Sequence, residues 1–451
     1  MTMKRQRLTA IITHVRPHLE ELLSIFLFLS EHFAEPVKNI FSYVRYTKVL
    51  FWDDLPEGTT REELEGKGYV FVGTGGGKRD EHSTSSEPRK EGESAVTLVA
   101  KELGVYREAK IQKLLEWTSN RDLNLGESMY ELPAVLKMMN DFNVESGVIW
   151  GWAVTAFEAL YERGNEHFGA IDPDAGTLWN KIANEWLINR FSGKLSLKEL
   201  DVATSGAANA ELFWLRKMPA LKGILTFAQK VGAKACGNPF EPHAIAATIQ
   251  AHPQFGYTVA RQWGFATLDI LYRQSRDFNE IAAKDFKQAQ KRTVELIDGR
   301  KISVVIADSD SLEFSRYARS SFGCKAGVVL TRNSAGNVAI TSNTQLKLDF
   351  SSVVEMLRIQ ELRKKGLPVP SDRALLRGES AIPNCSEWYY FANGRMVLNG
   401  STTKTRPPTA LSLATITGIV FAGLGVKGFA AVIPSATAHQ QLIPASAMAT
   451  A

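Results

Sequence analysis

Two short segments near the start of the chain gather imidazole and carboxylate side chains. Residues 13–20 read Thr-His-Val-Arg-Pro-His-Leu-Glu, and residues 73–82 read Gly-Thr-Gly-Gly-Gly-Lys-Arg-Asp-Glu-His. The candidate metal ligands and catalytic groups that they supply are His14, His18, Glu20, Asp80, Glu81 and His82. A mixture of imidazole nitrogens and hard oxygens suits manganese, zinc or iron better than calcium. We therefore predict one metal site built from both segments.

The second segment begins with a glycine loop that could hold a phosphate group. Gly75, Gly76 and Gly77 have no Cβ, so they can adopt positive φ and turn backbone N–H groups towards an anion. Lys78 and Arg79 add positive charge beside them. The pattern is not a Walker A loop, because Arg79 stands where Ser or Thr is needed. A plain solvent-facing turn has the same composition and remains the alternative interpretation.

Composition excludes several classes of protein. The 451 residues include three cysteines without CxxC spacing, so neither a disulfide framework nor a zinc knuckle is encoded, and we expect a cytoplasmic protein. The net charge of +5 is too small to establish a nucleic-acid surface by itself, although it permits anionic substrates. The apolar run 22–29 is much shorter than the roughly 20 residues that span a bilayer, so no membrane association is expected. The sequence leaves open whether the protein forms a homo-oligomer.

The elements that must position these residues alternate between strand and helix. The patterns predict strands at 10–14, 48–52 and 69–72, with helices at 17–33 and 60–66 between them. This order favours a parallel sheet, and parallel sheets place their sites at the carboxyl ends of the strands. Both polar segments follow such strand ends, so the fold predicts that they lie close together.

The pattern of apolar and polar residues in the rest of the chain predicts an α/β protein of several parts. We predict an N-terminal parallel-sheet domain at 1–127, a helical middle region at 128–298, a smaller α+β domain at 299–404, and an apolar helix with a frayed tail at 405–451. In the first part, a polar turn at 119–122 should follow two further helices. The middle region's aromatic residues have helical spacing and are read as core. A helix from Phe278 should carry a basic stripe, which is a solvated face or a nucleic-acid contact: Lys284, Lys287, Lys291 and Arg292.

The two polar segments also resemble a known family. Thr-His-x-x-Pro-His-x-Glu-Glu, then Gly-Gly-Gly-x-x-Asp-x-His and the segment 93–104, resemble the DHH phosphoesterase superfamily over residues 8–125. The most similar branch is the one catalogued as metal-dependent protein hydrolases, some members of which are described as 3′–5′ RNA exonucleases. The resemblance implies hydrolysis of a phosphodiester in RNA, an oligonucleotide or a nucleotide by a dinuclear centre, with manganese preferred over zinc or magnesium. The ligands that it implies are His14, His18, Glu20, Asp80, His82 and Asp122.

The chain departs from that family pattern at several ligand positions. Glu20 replaces an aspartate, Glu81 replaces the first histidine of the Asp-His-His triplet, and the spacing between the first two histidines is one residue shorter. Gly73 stands where the branch has a metal-bridging aspartate, for which Asp53 or Asp54 could substitute. Two functional hypotheses follow, a metal-dependent phosphodiester hydrolase and a degenerate relative that binds metal or nucleotide without turnover. A helical scaffold with an incidental polar loop is the third.

Overall fold

The chain divides into two compact units, Met1–Arg276 and Asp277–Ala451. The computed structural model describes residues 7–42, 47–81, 90, 92–123, 131–164, 174–191, 240–392, 395–399 and 407–429, with 193, 196, 198 and 221. The protein is of the α/β class, as predicted: the first unit joins a small parallel sheet to many helices, and the second contains a mixed sheet. Within the described residues, no helix combines the length and the apolar character that crossing a membrane requires.

The sheet of the first unit confirms the predicted parallel arrangement. Its strands are β1 (Ala10–His14), β2 (Lys48–Trp52) and β3 (Tyr69–Phe71), in the order β2-β1-β3. The central strand is apolar and almost fully buried, as expected when neighbours pair on both edges and helices cover the faces. The Val72 N–H still donates to the Ile12 carbonyl at 2.9 Å, so the third strand leads directly into Gly73.

Ten helices of the first unit lie within the described residues. They are α1 (Leu19–Leu29), α2 (Ala34–Ile40), α3 (Arg61–Gly66), α4 (Ala95–Leu103), α5 (Gln112–Leu123), α6 (Leu132–Asp141), α7 (Ser146–Arg163), α8 (Ala175–Phe191), α9 (Pro242–Ala251) and α10 (Gly256–Arg276). Helix α1 is buried along nearly its whole length and packs against α4, α5 and α7. Of the aromatic residues predicted as core, Trp152, Trp179 and Trp186 are buried, and Trp152 stacks on the buried Trp263 with ring centroids 5.2 Å apart. Phe213 and Trp214, also predicted as core, lie outside the described residues.

Two predicted boundaries in this unit are wrong. The helix expected at 17–33 ends at Leu29, because Ser30 is extended and caps a short 3-10 turn at Glu31–Phe33. The polar turn expected at 119–122 lies inside α5. Ser119 is buried there and its hydroxyl accepts from the Ser94 hydroxyl at 3.1 Å, whereas Asn120 is exposed to solvent.

The second unit is built on a seven-stranded sheet. A π-helical turn at Asp277–Ala282 and α11 (Ala283–Gln288) precede its strands in the chain. The strands, in chain order, are β4 (Gln290–Glu295), β5 (Lys301–Asp308), β6 (Val328–Arg332), β7 (Val338–Ser342), β8 (Ser380–Ile382), β9 (Cys385–Phe391) and β10 (Met396–Asn399). The helices among and after them are α12 (Phe314–Arg319), α13 (Ser351–Lys364), α14 (Arg373–Arg377) and α15 (Leu413–Gly423). The spatial order is β4-β5-β6-β7-β10-β9-β8, and β5–β6 is the parallel pair.

The predicted basic stripe is divided between two kinds of structure. Lys284 and Lys287 lie on α11, but Lys291 and Arg292 lie on β4, which pairs antiparallel with β5. Residues 290–295 are predicted as helix from their polar residues, but backbone pairing with the buried strand β5 holds them extended. The four cations therefore do not form one helical face.

Two glycines of α15 should respond oppositely to alanine. A Cβ on Gly423 would lie 2.6 Å from Val353 Cγ2 and 2.9 Å from its Cα, whereas one on Gly418 would meet nothing within 4 Å. We expect Gly423→Ala to lower the free energy of unfolding by about 1–3 kcal/mol through overpacking. Gly418→Ala should raise it by roughly 0.5–1 kcal/mol through helix propensity. Urea unfolding of both variants measures these changes. The same change in the free energy of unfolding for both variants would contradict the packing of α15 on α13.

Candidate metal centre

A tight turn between β1 and α1 brings His14 and His18 together. His14 is the last residue of the strand, and His18 is the N-cap of the helix. Between them Arg16 adopts a left-handed conformation with φ of 69°, which is costly for a residue with a Cβ. The Arg16 guanidinium donates to Asn143 Oδ1 at 2.7 Å and stabilises the turn. The two imidazole rings consequently meet edge to face with centroids 5.2 Å apart.

Glu21 supplies the carboxylate of this cluster. Its Oε1 lies 3.2 Å from His14 Nε2 and 3.8 Å from His18 Nδ1, and its Oε2 accepts the His18 backbone N–H at 2.6 Å. One ligand atom from each of the three residues lies within 4.8 Å of the other two. The Glu21 side chain is fully buried, whereas that of His18 is 63% exposed, so the cluster opens to solvent on the His18 side.

One ligand separation in the cluster matches that expected around a bound divalent ion. Two ligand atoms about 2.1 Å from one ion, at an angle near 100°, are about 3.2 Å apart, which matches the separation of His14 Nε2 and Glu21 Oε1. His14 Nδ1 lies 3.0 Å from the Val15 carbonyl, which can only accept, so Nδ1 carries the donated proton. This second hydrogen bond orients Nε2 towards the cluster, as the backbone carbonyl partner of a metal-bound histidine does.

The cluster is strongly polarised without a metal ion. Burial lowers the pKa of His14, but the hydrogen bond and charge of Glu21, the Val15 carbonyl and the charge of Asp80 together raise it to about 9. Burial likewise opposes ionisation of Glu21, yet the charge of His18 and the hydrogen bond from His14 lower its pKa to about 2. At neutral pH these residues form an imidazolium–carboxylate pair, so a metal ion must displace the proton of His14.

Glu20, predicted as a ligand, has a different environment. Its Oε2 accepts the Ala95 N–H at 3.0 Å, at the start of α4. Consecutive helical residues point about 100° apart, so only one of the two glutamates can face the histidines. The signal that identifies Glu21 is the capping box: Glu21 stands three residues after the N-cap His18, where an acidic side chain reaches back to the cap N–H.

The predicted glycine loop has the backbone that its composition requires. Gly75, Gly76 and Gly77 have φ of 75°, 76° and 93°. The Gly76 N–H donates to Asp80 Oδ2 at 2.7 Å, so the loop curls around a carboxylate of its own chain. Asp80 is buried, and its negative charge reaches His14. The structure thus brings Asp80 near the histidines while one of its oxygens is held by the loop.

The two cations of the loop share a partner. Arg79 donates two hydrogen bonds to Glu102, at 2.5 and 2.7 Å, and Lys78 Nζ lies 2.7 Å from the same carboxylate. Burial tends to raise the pKa of Glu102, but the bonds and charges of Arg79 and Lys78 lower it overall. Glu102 is thereby kept ionised.

Gly73 lies directly against the cluster. A Cβ built there would lie 2.5 Å from Glu21 Cγ and 2.6 Å from Glu21 Oε1, and the φ of Gly73 is 59°. The volume that a side chain at position 73 would need is therefore filled by the Glu21 carboxylate. A carboxylate is present at this place, and it comes from helix α1.

Of the remaining predicted residues, Asp53, Asp54 and Glu81 do not belong to the cluster. Asp53 and Asp54 are exposed in the turn after β2, and Glu81 is buried with its carbonyl accepting the Lys90 N–H at 3.0 Å. Asp122 lies on α5, but its side chain is outside the described part of the chain. His82 also lies outside the described residues.

We compared the chain with family models, with curated proteins and with solved structures. None of the three comparisons finds a match. What the cluster binds must therefore be inferred from its own residues. Two imidazoles, one carboxylate and a solvent opening on one side are the composition of a three-ligand site with room for water or substrate.

Proposed function

We propose that this protein is a metal-dependent hydrolase that acts on a phosphodiester in RNA, an oligonucleotide or a nucleotide. The supporting observation is the convergence of His14, His18 and Glu21, with His14 Nδ1 fixed by the Val15 carbonyl. Two nitrogens and one oxygen suit zinc, manganese or iron. A divalent ion at such a site would lower the pKa of a bound water, to about 7 in the case of zinc, and neutralise charge on an attacked phosphoryl group.

The residues around the cluster support this chemistry. Glu21 is buried and ionised, so it would offer a fixed negative ligand, while the exposed His18 side leaves room for substrate. The charge of Asp80 adds to the negative field at His14 and would favour a second cation, with His82 of the same segment as the partner that the resemblance implies. A dinuclear centre would divide attacking and leaving oxygens between two ions.

A metal-binding protein without turnover is the second candidate, and two contacts and one missing carboxylate favour it. Glu20 is bonded to Ala95 N–H, one oxygen of Asp80 is bonded to Gly76 N–H, and position 73 has no carboxylate. The described residues consequently assemble ligands for one ion. One ion is enough for binding, whereas the family's hydrolysis uses two.

A phosphodiesterase assay separates these candidates. Purified protein loaded with Mn²⁺ should hydrolyse bis(p-nitrophenyl) phosphate and a short single-stranded RNA, and His18→Ala should lower the rate at least 100-fold because a ligand is lost. His32→Ala is the matched control, since it also removes a histidine paired with a glutamate, at 2.5 Å from Glu158. Metal binding without hydrolysis of either substrate would favour the non-catalytic candidate. Absence of metal binding would exclude both.

A further inference from the structure

A polar cavity lies beside the glycine loop, on the flank of β3. Its volume is about 500 Å³, within the usual range for small-molecule sites of roughly 300–1,000 Å³. Four cationic side chains line it, with Glu65 as the acidic residue of the lining: Arg61, Lys78, Arg79 and Lys90. Such a lining favours an anionic ligand.

The carboxylates that contact these four cations, Glu62, Glu65 and Glu102, leave one positive charge in excess. Lys90 Nζ donates to the Asp80 carbonyl at 2.8 Å and also to the Gly77 carbonyl, which are neutral partners. Arg61 Nη1 donates to the Gly75 carbonyl at 3.2 Å, Nη2 donates to Glu62 at 3.0 Å, and Nε lies 3.8 Å from Glu65. Lys78 and Arg79 both form ion pairs with one carboxylate, that of Glu102. The cavity therefore presents oriented donors held by the backbone of the loop.

Aromatic side chains form the apolar part of the same wall. Phe41, which follows α2, and Tyr69, at the start of β3, both line the cavity. Phe41 is only 5% exposed, so the partly exposed Tyr69 supplies the apolar surface beside the cations. Such a surface suits a ligand that carries both an aromatic ring and a strongly charged group. Purine and pyrimidine nucleotides combine these features.

The cavity is distinct from the metal centre. Tyr69 pairs with Ala10, four residues before His14 on the adjacent strand, and strands rise about 3.3 Å per residue, so this wall lies about 13 Å back along the sheet. Among the described lining residues none belongs to the His14, His18 and Glu21 cluster. A ligand here would not require a metal ion.

We propose that this cavity is a nucleotide site that binds the phosphate monoester of a nucleoside monophosphate through Lys78, Lys90 and Arg61. The base would lie against Tyr69. A phosphate dianion fits better than a carboxylate, because three terminal oxygens can accept from donors that converge from the loop and from α3. This inference goes beyond the hydrolase function, since it requires neither the metal centre nor any bond cleavage.

Calorimetric titration of chelator-treated, full-length protein tests the site. Adenosine 5′-monophosphate should bind at least fivefold more tightly than inorganic phosphate, and adenosine should bind more weakly than either. Lys78→Gln should weaken nucleotide binding about tenfold, as expected for loss of one charge-assisted hydrogen bond. Lys78 is 64% exposed, so folding should be preserved. The matched control is Lys67→Gln, an exposed lysine at the end of α3 that does not line the cavity.

A further variant makes the outcome decisive. Tyr69→Leu should weaken the binding of the nucleotide about fivefold while leaving the binding of inorganic phosphate unchanged. Equal affinities for Lys78→Gln and Lys67→Gln, equal binding of phosphate and nucleotide, or an unchanged nucleotide affinity in Tyr69→Leu would each overturn the assignment. If the protein proved to bind no metal ion, the expected results of these titrations would be the same.

Discussion

Replacing His14 with alanine is expected to lower the affinity of the protein for Mn²⁺ or Zn²⁺ by roughly 100-fold or more. Loss of an outer-shell partner alone typically costs 10–100-fold in metal affinity, and His14 is an inner ligand whose orientation is fixed by the Val15 carbonyl. Competition against a chromogenic chelator gives the dissociation constants, and metal analysis after dialysis gives the stoichiometry. Unchanged affinity in this variant would rule out the centre.

The adjacent glutamates provide a sharper comparison for the same prediction. Glu21→Gln should lose metal affinity to a similar degree, because it removes the charge beside His14, whereas Glu20→Gln should keep it. The cost of Glu20→Gln should appear as lower stability, since Glu20 accepts the Ala95 N–H at the start of α4. If Glu20→Gln loses the metal and Glu21→Gln retains it, the ligand assignment is reversed.

The proton on His14 gives this binding a defined pH dependence. Its pKa of about 9 in the metal-free protein means that an ion displaces one proton at any lower pH. Affinity should therefore rise about tenfold per pH unit between pH 6.5 and 8.5 and level off near pH 9. Titrations in buffers of different ionisation enthalpy measure the released proton. A flat profile would indicate that His14 is not a ligand.

The parallel sheet could be predicted because its signals are local. The apolar run at 10–14 can only be buried, and Thr60 with Glu63 forms the capping box that its spacing predicted. Loop backbone was also predictable, since the consecutive glycines at 75–77 all take positive φ. At these positions a local feature, the Thr60–Glu63 capping pair or the missing Cβ of glycine, was enough to predict the backbone.

The spacing of residues in the sequence could not decide whether Glu20 or Glu21 is the carboxylate ligand. Glu20 and Glu21 are chemically identical neighbours, and the rotation of α1 about its axis decides which one faces His14. That rotation is set by burial of the apolar face of α1 against other helices, a long-range packing effect. The strand β4 was missed for a related reason, because pairing with β5 determines its backbone. Such contacts join residues far apart in the chain.

Moving the cluster's carboxylate from Glu21 to position 73 should restore much of the metal affinity that Glu21→Ala loses. A Cβ on Gly73 would overlap Glu21 Oε1 at 2.6 Å, so an aspartate there needs the volume that Glu21→Ala vacates. Aspartate is also among the residues that tolerate the left-handed φ of 59° at this position. We expect the double variant Glu21→Ala/Gly73→Asp to bind Mn²⁺ at least tenfold more tightly than Glu21→Ala.

Two further variants complete this double-mutant cycle: Gly73→Asp alone, and a double variant with asparagine in place of aspartate. Gly73→Asp alone should bind metal poorly and unfold more easily, because two carboxylates would compete for one buried volume. The double variant Glu21→Ala/Gly73→Asn has the same shape without the charge and should stay as weak as Glu21→Ala. A coupling free energy near zero between positions 21 and 73 would show that their side chains do not share this space. Strong positive coupling confined to aspartate would show that the site requires a carboxylate at this place and that α1 supplies it in the natural chain.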